Sequence, residues 1–186
     1  MKMKMEKQIV SSNQFEIMIE RLAHQLIENH SDFSETILVG LQPRGVEFNS
    51  RILEKLIEIT KNKNIVSGSL DITFFRDDFG RRDTPIEAQE LDMNVSVEGK
   101  KVVLIDDVLF TGRSIRAAMD ALMSFGRPKQ VELMVLIDRR LKRHLPIQPN
   151  YVGKTVDSIF SERVVVKWKS ENEEVKDEII LLKSEE

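Results

Sequence analysis

Hydrophobic positions along the chain follow two alternating rhythms. Phe15, Met18, Ile19, Leu22 and Leu26 recur at helical spacing behind Ser11 and Gln14, which are set as a capping box, so an amphipathic helix is predicted there. The short run ETILVG then has the length and flanks of a buried strand. After the turn LQPRG, residues from about Val46 to Ile59 read as a second helix, ended by the lysines and asparagines at 61–64. IVSGSLDITFFRDD alternates in part and predicts one strand of a hairpin. FGRRDTPIEAQELDMN has no steady period and predicts a long exposed loop, a type that often serves as a lid or binding loop. KVVLI is a second buried strand, followed by a helix with Ile115, Ala118, Met119 and Leu122 on one face. VELMVLI is a third, ending at Asp138, and the tail RVVVKWKSENEEVKDEIILL predicts an edge hairpin that completes the sheet, with Trp168 packed in it.

Apolar strands alternating with helices imply an α/β fold with a mainly parallel sheet covered on both faces. The 186 residues suit one domain, spanning 1–186, and 41% apolar composition can fill its core. Ligands of such sheets bind at the carboxyl ends of the strands, so the ends near Gly40, Asp106 and Asp138 are expected to converge. Cysteine is absent, which removes thiol and disulfide chemistry and fits a reducing cytosol. The opening MKMKMEKQIV lacks the apolar run of a signal peptide, and nowhere do about 18 apolar residues follow one another. A cytoplasmic protein without a membrane partner is expected. With a net charge of −3, nucleic-acid binding would need a local basic patch.

The stretch KVVLIDDVLFTGRS sets two adjacent aspartates just before a loop shaped for an anion. A strand-to-helix turn directs free backbone N–H groups outward, the helix dipole favours negative charge, and Thr111 and Ser114 add hydroxyls. Gly112 allows the backbone to approach closely. Ordinary helix capping is the other reading of these residues. Asp106 and Asp107 can only accept hydrogen bonds when ionised, which suits vicinal hydroxyls; otherwise one caps the helix and the other pairs with a buried arginine. A ribose 5-phosphate, with hydroxyls and phosphate a few ångströms apart, would use both features at once.

VVLIDDVLFTGRS resembles the phosphoribosyl-diphosphate (PRPP) motif of type I phosphoribosyltransferases. The blocks ILVGLQPRG, DITFFRDD, VLIDDVLFTGRSIRAAMDAL, GRP, LIDR and LPIQPNYVGK stand in the order found in the pyrimidine operon attenuator family, PyrR. That resemblance implies the type I phosphoribosyltransferase fold, with a small hood and flexible loop at about 70–98 and a C-terminal hairpin at about 162–184. It implies a uracil phosphoribosyltransferase of pyrimidine salvage, making UMP and diphosphate from uracil and PRPP with Mg²⁺, and a homodimer or higher homo-oligomer. A purine or orotate transferase is a weaker alternative. Asp106 and Asp107 would hold the ribose hydroxyls, and Leu109, Phe110, Thr111, Gly112, Arg113 and Ser114 would wrap the 5-phosphate. Gln42, Arg44 and Gly45 would meet the pyrophosphate, and Arg76, with Arg81 and Arg82, would swing over it. Arg44, Arg76 and Asp107 are the catalytic candidates, while Asp138, Arg139, Ile147 and Tyr151 lie on the base side. No protein-built metal site is assigned, because Mg²⁺ prefers substrate oxygens and retained waters.

The same family binds pyrimidine-gene messenger RNA, which makes a nucleotide-sensing RNA regulator the competing class. RRLKRH at 139–144 is the densest positive cluster, and Arg21, His24, Arg143 and Lys154 are the RNA-side candidates. Two departures stand out. Gln42-Pro43 replaces the family's Lys-Thr, removing a positive charge and a backbone donor near the pyrophosphate, and Gln148 stands where an arginine is expected.

Overall fold

The computed structural model describes residues 5–75, 96–159, 161–169 and 176–183. In chain order they form β1 (Met5–Val10), α1 (Ser12–His30), β2 (Thr36–Leu41), α2 (Gly45–Thr60), β3 (Val66–Leu70) and β4 (Lys101–Leu109). After these come α3 (Arg113–Leu122), β5 (Gln130–Asp138), β6 (Tyr151–Thr155), β7 (Glu162–Lys167) and β8 (Glu178–Lys183). Arg76, Arg81 and Arg82, and with them most of the expected hood loop, lie outside the described residues.

A five-stranded sheet in the order β3-β2-β4-β5-β6 is parallel throughout. Its central strands β2, β4 and β5 are largely buried on both faces, which is why they read as apolar runs, while the edge strands β3 and β6 are only partly buried. Leu38, Val103, Ile105, Met134 and Leu136 turn toward α1 and α2. Ile37, Val39, Val102, Leu104, Leu133 and Val135 turn toward α3. Phe15, Met18, Ile19, Leu22 and Leu26 of α1 are all buried, as their spacing predicts. The entry of α1 is held by Gln14, whose side chain accepts the Ser11 N–H at 3.0 Å.

Three predicted features take another form. The segment after α2 is a parallel edge strand on β2, with Val39 opposite Gly68, and not half of a hairpin. Reaching β2 through the α2 crossover makes parallel pairing the available arrangement. The C-terminal strands do pair antiparallel, Val164 opposite Leu181, but they leave the main sheet and join β1 in a sheet of order β1-β8-β7. That small sheet covers α1 and α2 from outside, with Trp168 edge-on to Phe15 at 5.3 Å and stacked near Phe48 at 6.5 Å. Finally, β4 does not stop at Asp106. It runs through the acid pair to Leu109, which lies opposite Asp138 of β5.

Candidate phosphoribosyl site

Apolar alternation along β4 holds from Val102 to Ile105 and then breaks. Val108 packs toward α1 and α2, while Leu109 packs toward α3. Asp106 and Asp107 occupy the break, so strict two-residue alternation does not force their carboxylates onto opposite faces. Asp107 is buried and has Arg44 Nη1 at 3.9 Å from its Oδ2. Asp106 is partly exposed and accepts the Asp107 N–H at 3.0 Å.

Past Leu109, the chain turns through Phe110 and Thr111 to Gly112, which precedes the first turn of α3 with φ 90°. That conformation favours glycine. The turn aims the first N–H groups of α3 out of the sheet's carboxyl edge, where the helix dipole is positive. Thr111 Oγ1 accepts a long bond from the Arg113 N–H at 3.4 Å. Its carbonyl oxygen accepts the N–H groups of His144 at 3.0 Å and Leu145 at 3.2 Å, so the 144–147 segment folds back over the loop. Leu109 itself is buried, and its carbonyl oxygen accepts the Arg139 N–H at 2.9 Å, so it does not line the loop through its side chain.

The turn after β2 stands alongside. Gly45, the first residue of α2, lies so close to β4 that a Cβ would fall 2.3 Å from the Ile105 carbonyl oxygen and 3.1 Å from Asp106 Cα. This approach sets the α2 N-terminus and the half-exposed Arg44 beside the acid pair. Gln42 is committed elsewhere: its N–H donates to Leu70 at 3.0 Å and its amide to Ser69 at 3.0 Å. Both donors thus tie the turn to β3, and Pro43 after a cis bond offers none, leaving Arg44 and the start of α2 for an anion.

Beyond β5 opens a cleft of about 580 Å³, lined by Asp138, Arg140, Arg143, Ile147, Gln148 and Pro149. Ile147 borders both features, since its Cδ1 would lie 3.2 Å from a Cβ on Gly112. The other two base-side candidates do not line this cleft. Arg139 is buried, donating to Ser158 at 2.7 Å and to the carbonyls of Ile159 at 3.1 Å and Glu162 at 2.8 Å, with its guanidinium 4.0 Å from the Phe110 ring centre. Burial pulls its pKa below the ordinary arginine value, against the pull of Glu162, yet it stays charged in its carbonyl cage. Tyr151 begins β6 opposite Met134, roughly 13 Å below the carboxyl edge at the strand's rise per residue.

Tyr151 belongs to a buried network that sequence reasoning missed. Its hydroxyl donates to Glu132 at 2.6 Å and lies 3.1 Å from His30 Nε2, while His30 Nδ1 lies 3.0 Å from Thr36 Oγ1. Burial, and then the bond to Glu132, pushes the Tyr151 hydroxyl well up. Burial pulls the His30 imidazole down, with Glu132 opposing and Lys101 adding to the shift. The available signal was Glu132 itself, a carboxylate inside the apolar run VELMVLI.

The positive cluster at 139–144 is largely spent internally. Arg139 is caged, Arg140 makes two bonds to Asp157 at 2.7 and 2.8 Å, and Arg143 pairs with Asp138. Arg21, His24 and Lys154 are exposed. Arg21 caps the edge strand β6 through the carbonyls of Val152 at 3.1 Å and Gly153 at 2.6 Å, next to Lys154. Among the described residues no group of three His, Cys, Asp or Glu could hold a metal, and no helix is long and apolar enough to cross a membrane.

A parallel sheet carrying these loops on its carboxyl edge defines a type I phosphoribosyltransferase. Solved structures share the architecture. The hypoxanthine phosphoribosyltransferase of Trypanosoma cruzi matches with a TM-score of 0.69 over 96% of this chain and 97% of its own, at 16% identity. That of Staphylococcus aureus matches at 0.65 over 86% and 81%, at 21% identity. At such identities the likeness speaks for the fold alone. The phosphoribosyl transferase domain family matches residues 5–171. Proteins named bifunctional protein PyrR are 44% identical over 163 residues in Haemophilus ducreyi, covering 88% of this chain and 90% of that one. In Chloroflexus aurantiacus the identity is 41% over 178 residues, covering 96% of each. The chain belongs to the phosphoribosyltransferase family and, within it, to the PyrR proteins.

Proposed function

We propose that this phosphoribosyltransferase joins uracil to PRPP, giving UMP and diphosphate. The observation that carries the reading is the convergence of an acid pair, an anion-binding turn and an arginine on the adjacent ends of β2 and β4. In the reaction, N1 of uracil gives up its proton, which ends on the diphosphate, and replaces pyrophosphate at the sugar's anomeric carbon, while positive charge builds on the ring as negative charge builds on the leaving group. Asp106 and Asp107 orient the ribose through its hydroxyls and favour the cationic ring. The Thr111–Ser114 turn holds the 5-phosphate at the α3 N-terminus. Arg44 and the start of α2 receive the pyrophosphate. No nucleophile on the protein is required; positioning, charge stabilisation and exclusion of water carry the catalysis.

Hard carboxylate oxygens at 106 and 107 suit Mg²⁺, and with no third acidic ligand gathered among the described residues the ion would complete its shell from substrate oxygens and water. Bound there, Mg²⁺ would supply charge neutralisation to the diphosphate. The acceptor base is assigned from the PyrR relatives, because the hypoxanthine enzymes share only the fold. Replacing Asp106 and Asp107 with Asn should abolish pyrophosphate release from PRPP, Mg²⁺ and uracil while leaving the melting temperature close to that of the parent. Undiminished UMP synthesis in that variant sinks the assignment. A panel of nucleobases tests the acceptor, with uracil expected to be used ahead of hypoxanthine, guanine and orotate.

RNA binding is a second reading, favoured by the exposed Arg21, His24 and Lys154 on α1 and β6. Affinity for pyrimidine-leader RNA should then fall steeply with salt, by a log–log slope of about 0.7 per phosphate contact on a single strand. The double variant Arg21→Gln, Lys154→Gln should flatten that slope by one to two contacts. A filter-binding titration with no specific complex leaves the enzyme reading alone.

A further inference from the structure

The two loops that would hold the two substrates are joined by one side chain. Arg143 donates from Nη1 to the Phe110 carbonyl at 3.0 Å and from Nη2 to the Asp138 carboxylate. Phe110 opens the phosphate turn, and Asp138 ends β5 at the base-side cleft. The pair is mostly withdrawn from water, with side-chain exposures of 17% for Arg143 and 14% for Asp138, so solvent screens it little. The guanidinium is planar and its donors are fixed in a fork, so it can grip both partners only when the loops keep their relative position. Arg139 fastens the same junction from below, its N–H on the Leu109 carbonyl at 2.9 Å and its guanidinium on the Phe110 ring.

We propose that Arg143 is a positioning residue that couples the base cleft to the phosphate turn, so that occupation of either loop raises the affinity of the other. This rests on the transfer reading of the site. A ligand that settles Asp138 also settles Phe110, because both hang on one rigid fork. The ordering needed for the second ligand is then already done, which is positive coupling without a large movement. Thermodynamic linkage makes the effect reciprocal: uracil must favour ribose 5-phosphate by the same factor with which ribose 5-phosphate favours uracil.

Equilibrium dialysis of labelled uracil, with and without saturating ribose 5-phosphate and Mg²⁺, measures that factor without turnover. In the parent protein ribose 5-phosphate should tighten uracil by roughly tenfold. In Arg143→Ala the factor should fall to about one. Arg143→Lys keeps the charge but lacks the fork, and should retain only part of the coupling. Asp138→Asn should weaken it from the other end, and it carries the test together with Arg143→Lys if Arg143→Ala fails to fold. Full coupling in Arg143→Ala or in Arg143→Lys, no coupling in the parent, or equal weakening of both ligands with the factor unchanged would each overturn the proposal. The transfer reading fails separately, if the parent forms no UMP from PRPP and uracil.

Discussion

Substituting Gly45 with Ala adds one methyl group where the backbone of α2 meets β4. Its Cβ would lie 2.3 Å from the Ile105 carbonyl oxygen and 3.2 Å from the Ile105 carbonyl carbon. Neither neighbour is a side chain that can swing away; both belong to a central strand held by β2 on one side and β5 on the other. Reaching ordinary van der Waals separation therefore requires the α2 N-terminus to move by about 1 Å. That shift carries Arg44 away from Asp107 and displaces the helix end proposed to receive pyrophosphate. A displacement of this size at a reacting group costs on the order of a hundredfold in rate, equivalent to about 2.7 kcal/mol in the barrier. Overpacking should lower stability by about 1–3 kcal/mol, seen as roughly 2–4 °C in melting temperature per kcal/mol for a chain of this size. Initial rates of pyrophosphate release, with PRPP and uracil varied separately and well below the melting point, separate the two effects. The loss is expected in kcat and in the PRPP term, with the uracil term little changed. A folded Gly45→Ala protein with parental kcat/KM for PRPP would refute the claim that this contact sets the site.

Three further predictions concern the buried polar groups. His30 is held neutral by burial, so the unfolded chain takes up a proton near about pH 6.5 that the folded one resists, and stability should decline as pH falls below that value. The Tyr151 hydroxyl is pushed the other way, so stability should also decline as pH rises past about 10, where the unfolded tyrosine ionises first. A plateau in melting temperature between those limits is expected, and Tyr151→Phe should reduce the alkaline fall, leaving the smaller part that comes from the paired, partly exposed Lys55 and Lys167. Arg139→Met leaves Ser158 and the carbonyls of Ile159 and Glu162 without their donor, and should cost about 2–3 kcal/mol in a urea titration. An unchanged urea midpoint would show that the cage adds nothing to stability.

The sequence alone determined the parts that are local or periodic. The helical stripe of α1, the apolar runs of β2, β4 and β5 and the acid pair beside a threonine-glycine turn were all legible, because side-chain spacing and turn chemistry are carried by neighbouring residues. Tertiary structure decided the remainder, because the physical cause lay in residues far apart in the chain. β1 is a strand only because β8 pairs with it, Lys7 opposite Leu181, and the C-terminal hairpin forms its own sheet because α1 and α2 offer an apolar face to cover. Gln42 could be seen to lack the charge of a lysine, but its two bonds to β3 could not be seen. Arg139 and Tyr151 look available for a ligand in sequence. Folding encloses one in a cage of carbonyls and the other against Glu132 and His30, since a polar group buried without a partner costs more than one that finds an internal one. Gly45 reads as one glycine after an arginine, and only the packing of α2 on β4 shows that its missing side chain sets the distance between Arg44 and Asp107.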